Sequence, residues 1–149
     1  MNKIAASMIL LALMFASVAV GQTVEKTAAP AVATFKHHTV FQLSEAQGPT
    51  WDAVIRHTNN LRQALEKDGG VQVEIVFFSQ GLKMLLKTNK EYEEKLKKLA
   101  DDGVILAACQ NAMKAMNVKS TDLFPFAVEV DSGVAEITRK QEAGWAYIH

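Results

Sequence analysis

The sequence predicts an α/β domain built on a mostly parallel sheet. Short apolar runs rich in β-branched residues alternate with longer stretches whose apolar residues recur every three or four positions, as strands alternate with helices. The run Val104–Ala108, "VILAA", contains no polar residue, which is typical of a central strand covered on both faces. The 149 residues, 49% of them hydrophobic, are enough for one such domain.

The first half of the domain reads as strand, helix, strand. A strand at His38–Leu43 ends at the turn-prone "SEAQGP". A helix should begin near Pro49, whose fixed φ suits a first turn, and end at the glycines of Asp68–Gly70. Its apolar residues recur at intervals of three and four and include Trp51. The next strand, Val71–Ser79, is rich in β-branched and aromatic residues.

The second half continues the alternation. A charged helix is expected at Tyr92–Asp101, with its Glu and Lys residues facing solvent. The other predicted elements are a short helix within Gln80–Lys87, the strand Val104–Ala108, a helix from Cys109 to about Met116, a short strand Ala127–Val130, a helix Gly133–Ala143 with Asp131 or Ser132 as N-cap, and a closing strand within Gly144–His149.

The N-terminus has the pattern of a secretory signal peptide. Lys3 precedes an apolar run from Ile4 to Val20, and small residues at Ala19 and Gly21 suit a cleavage site. The alternative is an uncleaved membrane anchor, for which the run is short. We therefore predict a signal peptide at 1–21, a flexible mature N-terminus at 22–36, a domain at 37–149 and a periplasmic location, with no membrane association after cleavage.

Composition excludes several functional classes. The formal net charge is zero, which argues against nucleic acid as a partner. The chain has one cysteine, so no intrachain disulfide can form. Neither a phosphate-binding glycine motif nor the His or Cys spacing of a zinc site occurs, and we predict no metal and no cofactor.

That cysteine, Cys109, lies between a predicted strand and a helix, where parallel sheets bind ligands. The unpaired amides of the helix N-terminus stabilise a thiolate. The candidate site is therefore Cys109 as the reactive group, with the helix residues Gln110, Asn111, Ala112 and Met113. From the loops after the first two strands it adds Glu45, Gln80, Gly81 and Lys83. The loop Asp131–Gly133 ends at the same sheet edge.

Cys109 could instead be a core residue without a chemical role, because free cysteine is often buried as a small apolar residue. Against this, an unpaired thiol is a liability in an oxidising compartment. The other candidates have non-functional interpretations as well. Glu45 could be a solvated loop carboxylate, Asn111 a helix cap and Met113 a core residue.

Four segments together resemble the DsrE/DsrF-like family: "FQLSEA…W…VIRHTNNLRQAL", "VQVEIVFFSQGLKMLL", "GVILAACQNAMKAMNV" and "DLFPFAVEVDSGVAEITRKQEAGWAYIH". The resemblance extends over about residues 38–149. It implies a three-layer α/β/α sandwich with a five-stranded, mostly parallel sheet, and a homo-oligomer, a trimer or hexamer. It also implies that Cys109 accepts sulfur as a persulfide, with a sulfur donor or acceptor protein as partner.

Two functions from different classes stay open, and the sequence does not decide whether the protein is an enzyme. The first is an exported sulfur carrier or persulfide relay that uses Cys109 as acceptor. The second is a non-catalytic, homo-oligomeric module that binds a small molecule or protein and keeps Cys109 in its core.

Overall fold

A computed structural model describes residues 34–149. The predicted signal peptide and residues 22–33 of the predicted flexible segment lie outside this range. Residues 34–36 precede the first strand, and the Lys36 amide donates a hydrogen bond of 3.2 Å to the Gly69 carbonyl. No helix within the described range is long and apolar enough to cross a bilayer.

Five strands and four α-helices form the domain. In chain order they are β1 His37–Leu43, α1 Pro49–Leu65, β2 Val71–Phe77, α2 Lys90–Asp101, β3 Ile105–Cys109, α3 Gln110–Ala115, β4 Val128–Val130, α4 Gly133–Glu142 and β5 Ala146–Ile148. Short 3₁₀-helices occupy Glu66–Asp68, Ser79–Leu85 and Ser120–Asp122.

The strands form one sheet in the order β4-β3-β2-β1-β5. Every neighbouring pair runs parallel, so the predicted five-stranded parallel sheet is confirmed. β5 pairs with β1, and this pairing joins the C-terminal residues to the sheet.

Helices cover both faces of the sheet, which confirms the predicted three-layer sandwich. Trp51 of α1, Leu96 of α2 and Met113 of α3 pack with Phe77 and other inward residues of the strands on the first face. On the second face Ile137 of α4 packs on a separate cluster, formed by Val40, Val76 and Ala107. The two clusters use alternate residues of the same strands, as the pleat requires.

The helix ends follow the sequence signals. Pro49 occupies the first turn of α1, and Gly69, which has φ of 102°, closes the turn after it. The Ser132 hydroxyl caps α4 by accepting a hydrogen bond of 3.4 Å from the Ala135 amide. β3 extends one residue beyond its predicted end, so that Cys109 is the last residue of the strand.

The layers create a crevice between β3 and β4. The chain leaves β3 towards the first face, where α3 packs, and leaves β4 towards the second face, where α4 packs. Adjacent parallel strands whose connections diverge in this way open a crevice at their carboxyl ends. Cys109 is paired with Val130 in the sheet, so both chains enter this crevice side by side.

Candidate functional site

The sulfur of Cys109 lies at the crevice between β3 and β4 and accepts a hydrogen bond from a backbone amide. The donor is the N–H of Gly133, the first residue of α4, at 3.1 Å from Sγ. Amide N–H groups at the first turn of a helix have no partner within the helix. The positive end of the α4 dipole therefore lies against the sulfur.

The crevice is an open cleft of about 300 Å³. Cys109 itself is only 5% exposed, so the sulfur lies at the inner wall of the cleft. The cleft is lined by Phe78, Ser79, Cys109, Asn111, Ala112, Ser132, Gly133 and Val134. None of these residues is Asp, Glu, Lys or Arg.

Gly133 is placed close to Phe78 because it has no side chain. A Cβ atom at this position would lie 3.0 Å from the Cβ of Phe78, closer than ordinary van der Waals contact. The next residue of the lining, Ser79, has φ of 49°. A serine rarely adopts this left-handed conformation, and such residues are concentrated at functional sites.

An ion pair holds the loop between β4 and α4. The guanidinium of Arg139 donates to both carboxylate oxygens of Asp131, at 2.8 and 2.7 Å. Asp131 also accepts a hydrogen bond of 2.8 Å from the Ser132 amide. The hydrogen bonds from Arg139 and Ser132 lower the pKa of Asp131 to about 2, so the carboxylate stays charged at any physiological pH.

The four helix residues predicted beside Cys109 divide between two surfaces. Asn111 and Ala112 line the cleft with the sulfur. Gln110 and Met113 line another pocket, where the Gln110 side chain donates to Glu129 at 3.0 Å. Met113 is otherwise buried in the core of the first face. Within the described residues the amide that donates to Sγ belongs to α4, whereas the sequence suggested those of α3.

The residue expected from the β1 loop, Glu45, does not line this cleft. The carbonyl of Glu45 accepts a hydrogen bond of 3.0 Å from the Trp51 indole, and its carboxylate accepts from Ser44. Partial burial raises the pKa of Glu45, but hydrogen bonds from its own amide and from Ser44 outweigh this, and the pKa is lowered. Glu45 is therefore an ionised carboxylate engaged within its loop.

The residues expected from the β2 loop also lie elsewhere. Lys83 lines a pocket with Trp51, away from Cys109, and Gln80 is exposed. Gly81 is buried against the end of β1, where a Cβ would lie 2.1 Å from the Leu43 carbonyl oxygen. Gly81 thus serves backbone packing in this structure.

Sequence reasoning missed two apolar residues of the cleft, Phe78 and Val134, and the donor role of Gly133. The serine–glycine step after the short strand β4 was the available signal, because it predicts a helix start at the same sheet edge. Within residues 34–149, no three His, Cys, Asp or Glu side chains are grouped closely enough to hold a metal ion.

Comparison with known families gives a match to the DsrE/DsrF-like family over residues 54–149. The chain belongs to the DsrE/DsrF-like family. Membership suggests a role related to sulfur relay. No match was found among curated proteins.

A solved structure shows the same fold in another DsrE/DsrF-like protein. MTH1491 from Methanobacterium thermoautotrophicum, described as a protein of unknown function, is 33% identical to this chain. The match has a TM-score of 0.71 and covers 75% of this chain and 97% of that one. The DsrE/DsrF-like domain described here is therefore similar to nearly all of that protein.

Proposed function

We propose that this protein is an exported sulfur carrier in which Cys109 accepts a sulfane sulfur atom as a persulfide and then passes it to a thiol of a partner. Family membership supports the general role in sulfur relay. The observation that carries the assignment to Cys109 is the hydrogen bond of 3.1 Å from the Gly133 amide to Sγ at the wall of an open cleft. The same amide lies where it can hydrogen-bond to the sulfur while that sulfur carries negative charge during the transfer.

The transfer is a thiol exchange at sulfur. The Cys109 thiolate attacks the outer sulfur of a hydropersulfide R–S–SH, so that a bond forms between Sγ and that sulfur while the S–S bond of the donor breaks. The bonding electron pair leaves with the thiolate R–S⁻, which takes a proton from water. The exchange needs no external oxidant or reductant. A partner thiolate removes the sulfur by the same reaction in reverse.

The cleft favours a donor that carries little charge. Its walls are apolar at Phe78, Ala112 and Val134, and its polar side chains, Ser79, Asn111 and Ser132, are neutral. A dianion such as thiosulfate would enter without a cation to replace its hydration. We therefore expect a small hydropersulfide to load Cys109 faster than thiosulfate does.

Export and assembly are further parts of the proposal. Export rests on Lys3, the apolar run after it and the small residues Ala19 and Gly21. A trimer or hexamer, and a sulfur-donating or sulfur-accepting protein partner, rest on the family resemblance alone.

Mass spectrometry of the intact protein tests the proposal. After incubation with polysulfide, or with a small hydropersulfide, the protein should gain the mass of one sulfur atom, and dithiothreitol should remove it. Cys109→Ala should gain none. Thr138→Ala, a substitution on the exposed side of α4, is the matched control and should load like the wild type.

The opposite result would favour the binding module. If the wild type takes up no sulfur and Cys109→Ala folds normally, the cleft is a ligand site without sulfur chemistry. If native Cys109 also fails to react with iodoacetamide, the thiol is simply part of the core.

A further inference from the structure

We infer that Asp131 and Arg139 are positioning residues for Cys109, because their ion pair fixes the loop that aims the Gly133 amide at the sulfur. The inference deepens the proposed function and rests on it for its functional meaning. The geometry that it describes can nevertheless be tested without any sulfur transfer.

Asp131 fixes the backbone immediately before the donor. Both of its carboxylate oxygens accept from Arg139, at 2.8 and 2.7 Å, and Oδ1 also accepts from the Ser132 amide at 2.8 Å. A bidentate arginine–carboxylate pair defines orientation as well as distance. Gly133 lacks a side chain with which to hold its own conformation, so its N–H direction depends on the residues beside it.

Arg139 is itself held in place by a chain of ion pairs that reaches the centre of the sheet. It also contacts Glu136 at 3.1 Å, Glu136 contacts Lys140 at 3.4 Å, and Lys140 contacts Glu74 of β2 at 2.6 Å. The loop before α4 is thereby connected to a buried carboxylate in the sheet on which Cys109 lies. Such a network restricts the arginine far more than an isolated surface pair would.

The Asp131–Arg139 pair contributes little to the stability of the whole domain. The side chains of Arg139 and Asp131 are 52% and 63% exposed, and exposed ion pairs contribute little to folding. Because the pKa of Asp131 is about 2, the pair stays ionised over the whole range in which a thiol can be assayed. We therefore take the role of the pair to be a local constraint on the loop, which is present at every pH of the assay.

The test compares Arg139→Gln and Asp131→Asn with two controls. Arg62→Gln removes a similar arginine–aspartate pair, 3.1 Å between Arg62 and Asp102, on the other face of the domain. Glu136→Gln removes the second partner of Arg139 and leaves its pair with Asp131. For each protein we would record the thermal midpoint, the NMR resonance and hydrogen exchange of the Gly133 amide, and the rate at which a small hydropersulfide adds sulfur to Cys109.

In Arg139→Gln and Asp131→Asn, the Gly133 amide resonance should move towards that of an unbonded amide, and its exchange with solvent should quicken. The loading rate of Cys109 should fall about three- to tenfold, the range for weakening one charge-assisted hydrogen bond. Arg62→Gln should leave these readouts at wild-type values. Glu136→Gln separates Arg139 from the network but keeps its pair with Asp131, and should change the readouts less than either pair variant does. The thermal midpoint should stay close to wild type in all four variants. The double variant should equal either single variant, because each removes the same interaction.

Three outcomes would overturn the inference. These are an unchanged Gly133 amide in both pair variants, equal changes in Arg62→Gln, and strictly additive effects in the double variant. A wild type that takes up no sulfur, together with a Gly133 amide that responds as expected, would refute the sulfur-carrier function while supporting the positioning geometry.

Discussion

Cys109 and Gly133 are 24 positions apart in the chain, yet the Cys109 sulfur accepts a hydrogen bond from the Gly133 amide. The contact exists because β3 and β4 run parallel with Cys109 opposite Val130. The residues that follow Val130 then turn back over the end of β3. Single-residue geometry at the site is therefore set by strand register, and a small displacement of either strand end would remove the contact.

Gly81 is a second residue whose role is set by close approach. We expect Gly81→Ala to destabilise the domain by about 3 kcal/mol, at the upper end of the cost of overpacking. The new Cβ would lie 2.1 Å from the Leu43 carbonyl oxygen, and a backbone atom cannot rotate away. The free energy of unfolding in urea is the measurement.

Gly48→Ala is the matched control for this prediction. The position before α1 has an extended φ of 166°, and a Cβ there would meet its nearest neighbour at 3.8 Å, so the change should cost less than about 0.5 kcal/mol. Equal stability of the two variants would show that the approach of the 3₁₀-helix to β1 is not tight in solution.

At the scale of elements, local sequence predicted most of the fold. The four α-helices and five strands occur where apolar periodicity, Pro49 and the glycine turns indicate, with ends displaced by one or two residues. The long 3₁₀-helix at Ser79–Leu85 is less regular than the predicted short helix, because Gly81 and the left-handed Ser79 tighten the chain against β1.

The candidate site was less predictable than the elements. Sequence position places Gln110 and Met113 close to Cys109, but the rotation of α3 directs Gln110 to another pocket and buries most of Met113 in the core. The donor on Cys109 comes from α4, which neither spacing nor propensity connects to β3. Only the sheet order, with β4 at one edge and α4 crossing to the opposite face, brings them together.

The docking of α4 depends on a buried ion pair. Glu74 on β2 is 1% exposed, and its Oε2 contacts Lys140 at 2.6 Å while Oε1 has no hydrogen-bond partner. The Lys140 ammonium also lies 4.3 Å from the centre of the Trp145 ring. We expect Lys140→Met to destabilise the domain by about 3 kcal/mol near neutral pH, because it leaves the buried Glu74 carboxylate without a positive charge beside it.

The pH dependence of this effect has a definite sign. Burial raises the pKa of Glu74 above its ordinary value of 4.5, and Lys140 opposes that rise. Without Lys140 the folded-state pKa rises further, so the folded protein binds a proton more tightly than the unfolded chain does. The stability deficit should be full above this raised pKa and shrink as the pH falls through it.

Urea unfolding of Lys140→Met at several pH values checks this prediction. Replacing both partners, as Glu74→Leu with Lys140→Met, should recover most of the loss, since a buried pair is often replaceable by apolar side chains. A deficit that does not change with pH, or a double variant as unstable as Lys140→Met, would show that the carboxylate is not the source of the instability.

At the scale of the whole molecule, the proposed export determines which sulfur chemistry the protein meets. A chain with one cysteine has no internal thiol to resolve a persulfide, so under the proposed function a sulfur atom on Cys109 would persist until a partner removed it. An oxidising compartment would instead convert an unguarded thiol to mixed disulfides. The recessed position of Cys109, 5% exposed, limits such reactions to molecules small enough to enter the cleft.

We therefore predict that the protein in cells is exported and begins at Gln22, which N-terminal sequencing of the periplasmic fraction would show. Gly21→Leu places a large side chain at the residue before the cleavage site, where small residues are required, and should leave the uncleaved chain in the membrane fraction. Ala28→Leu lies beyond the site and should be processed normally. Wild-type protein found uncleaved in the membrane would establish the apolar run from Ile4 to Val20 as an anchor, with Cys109 still facing the exported side.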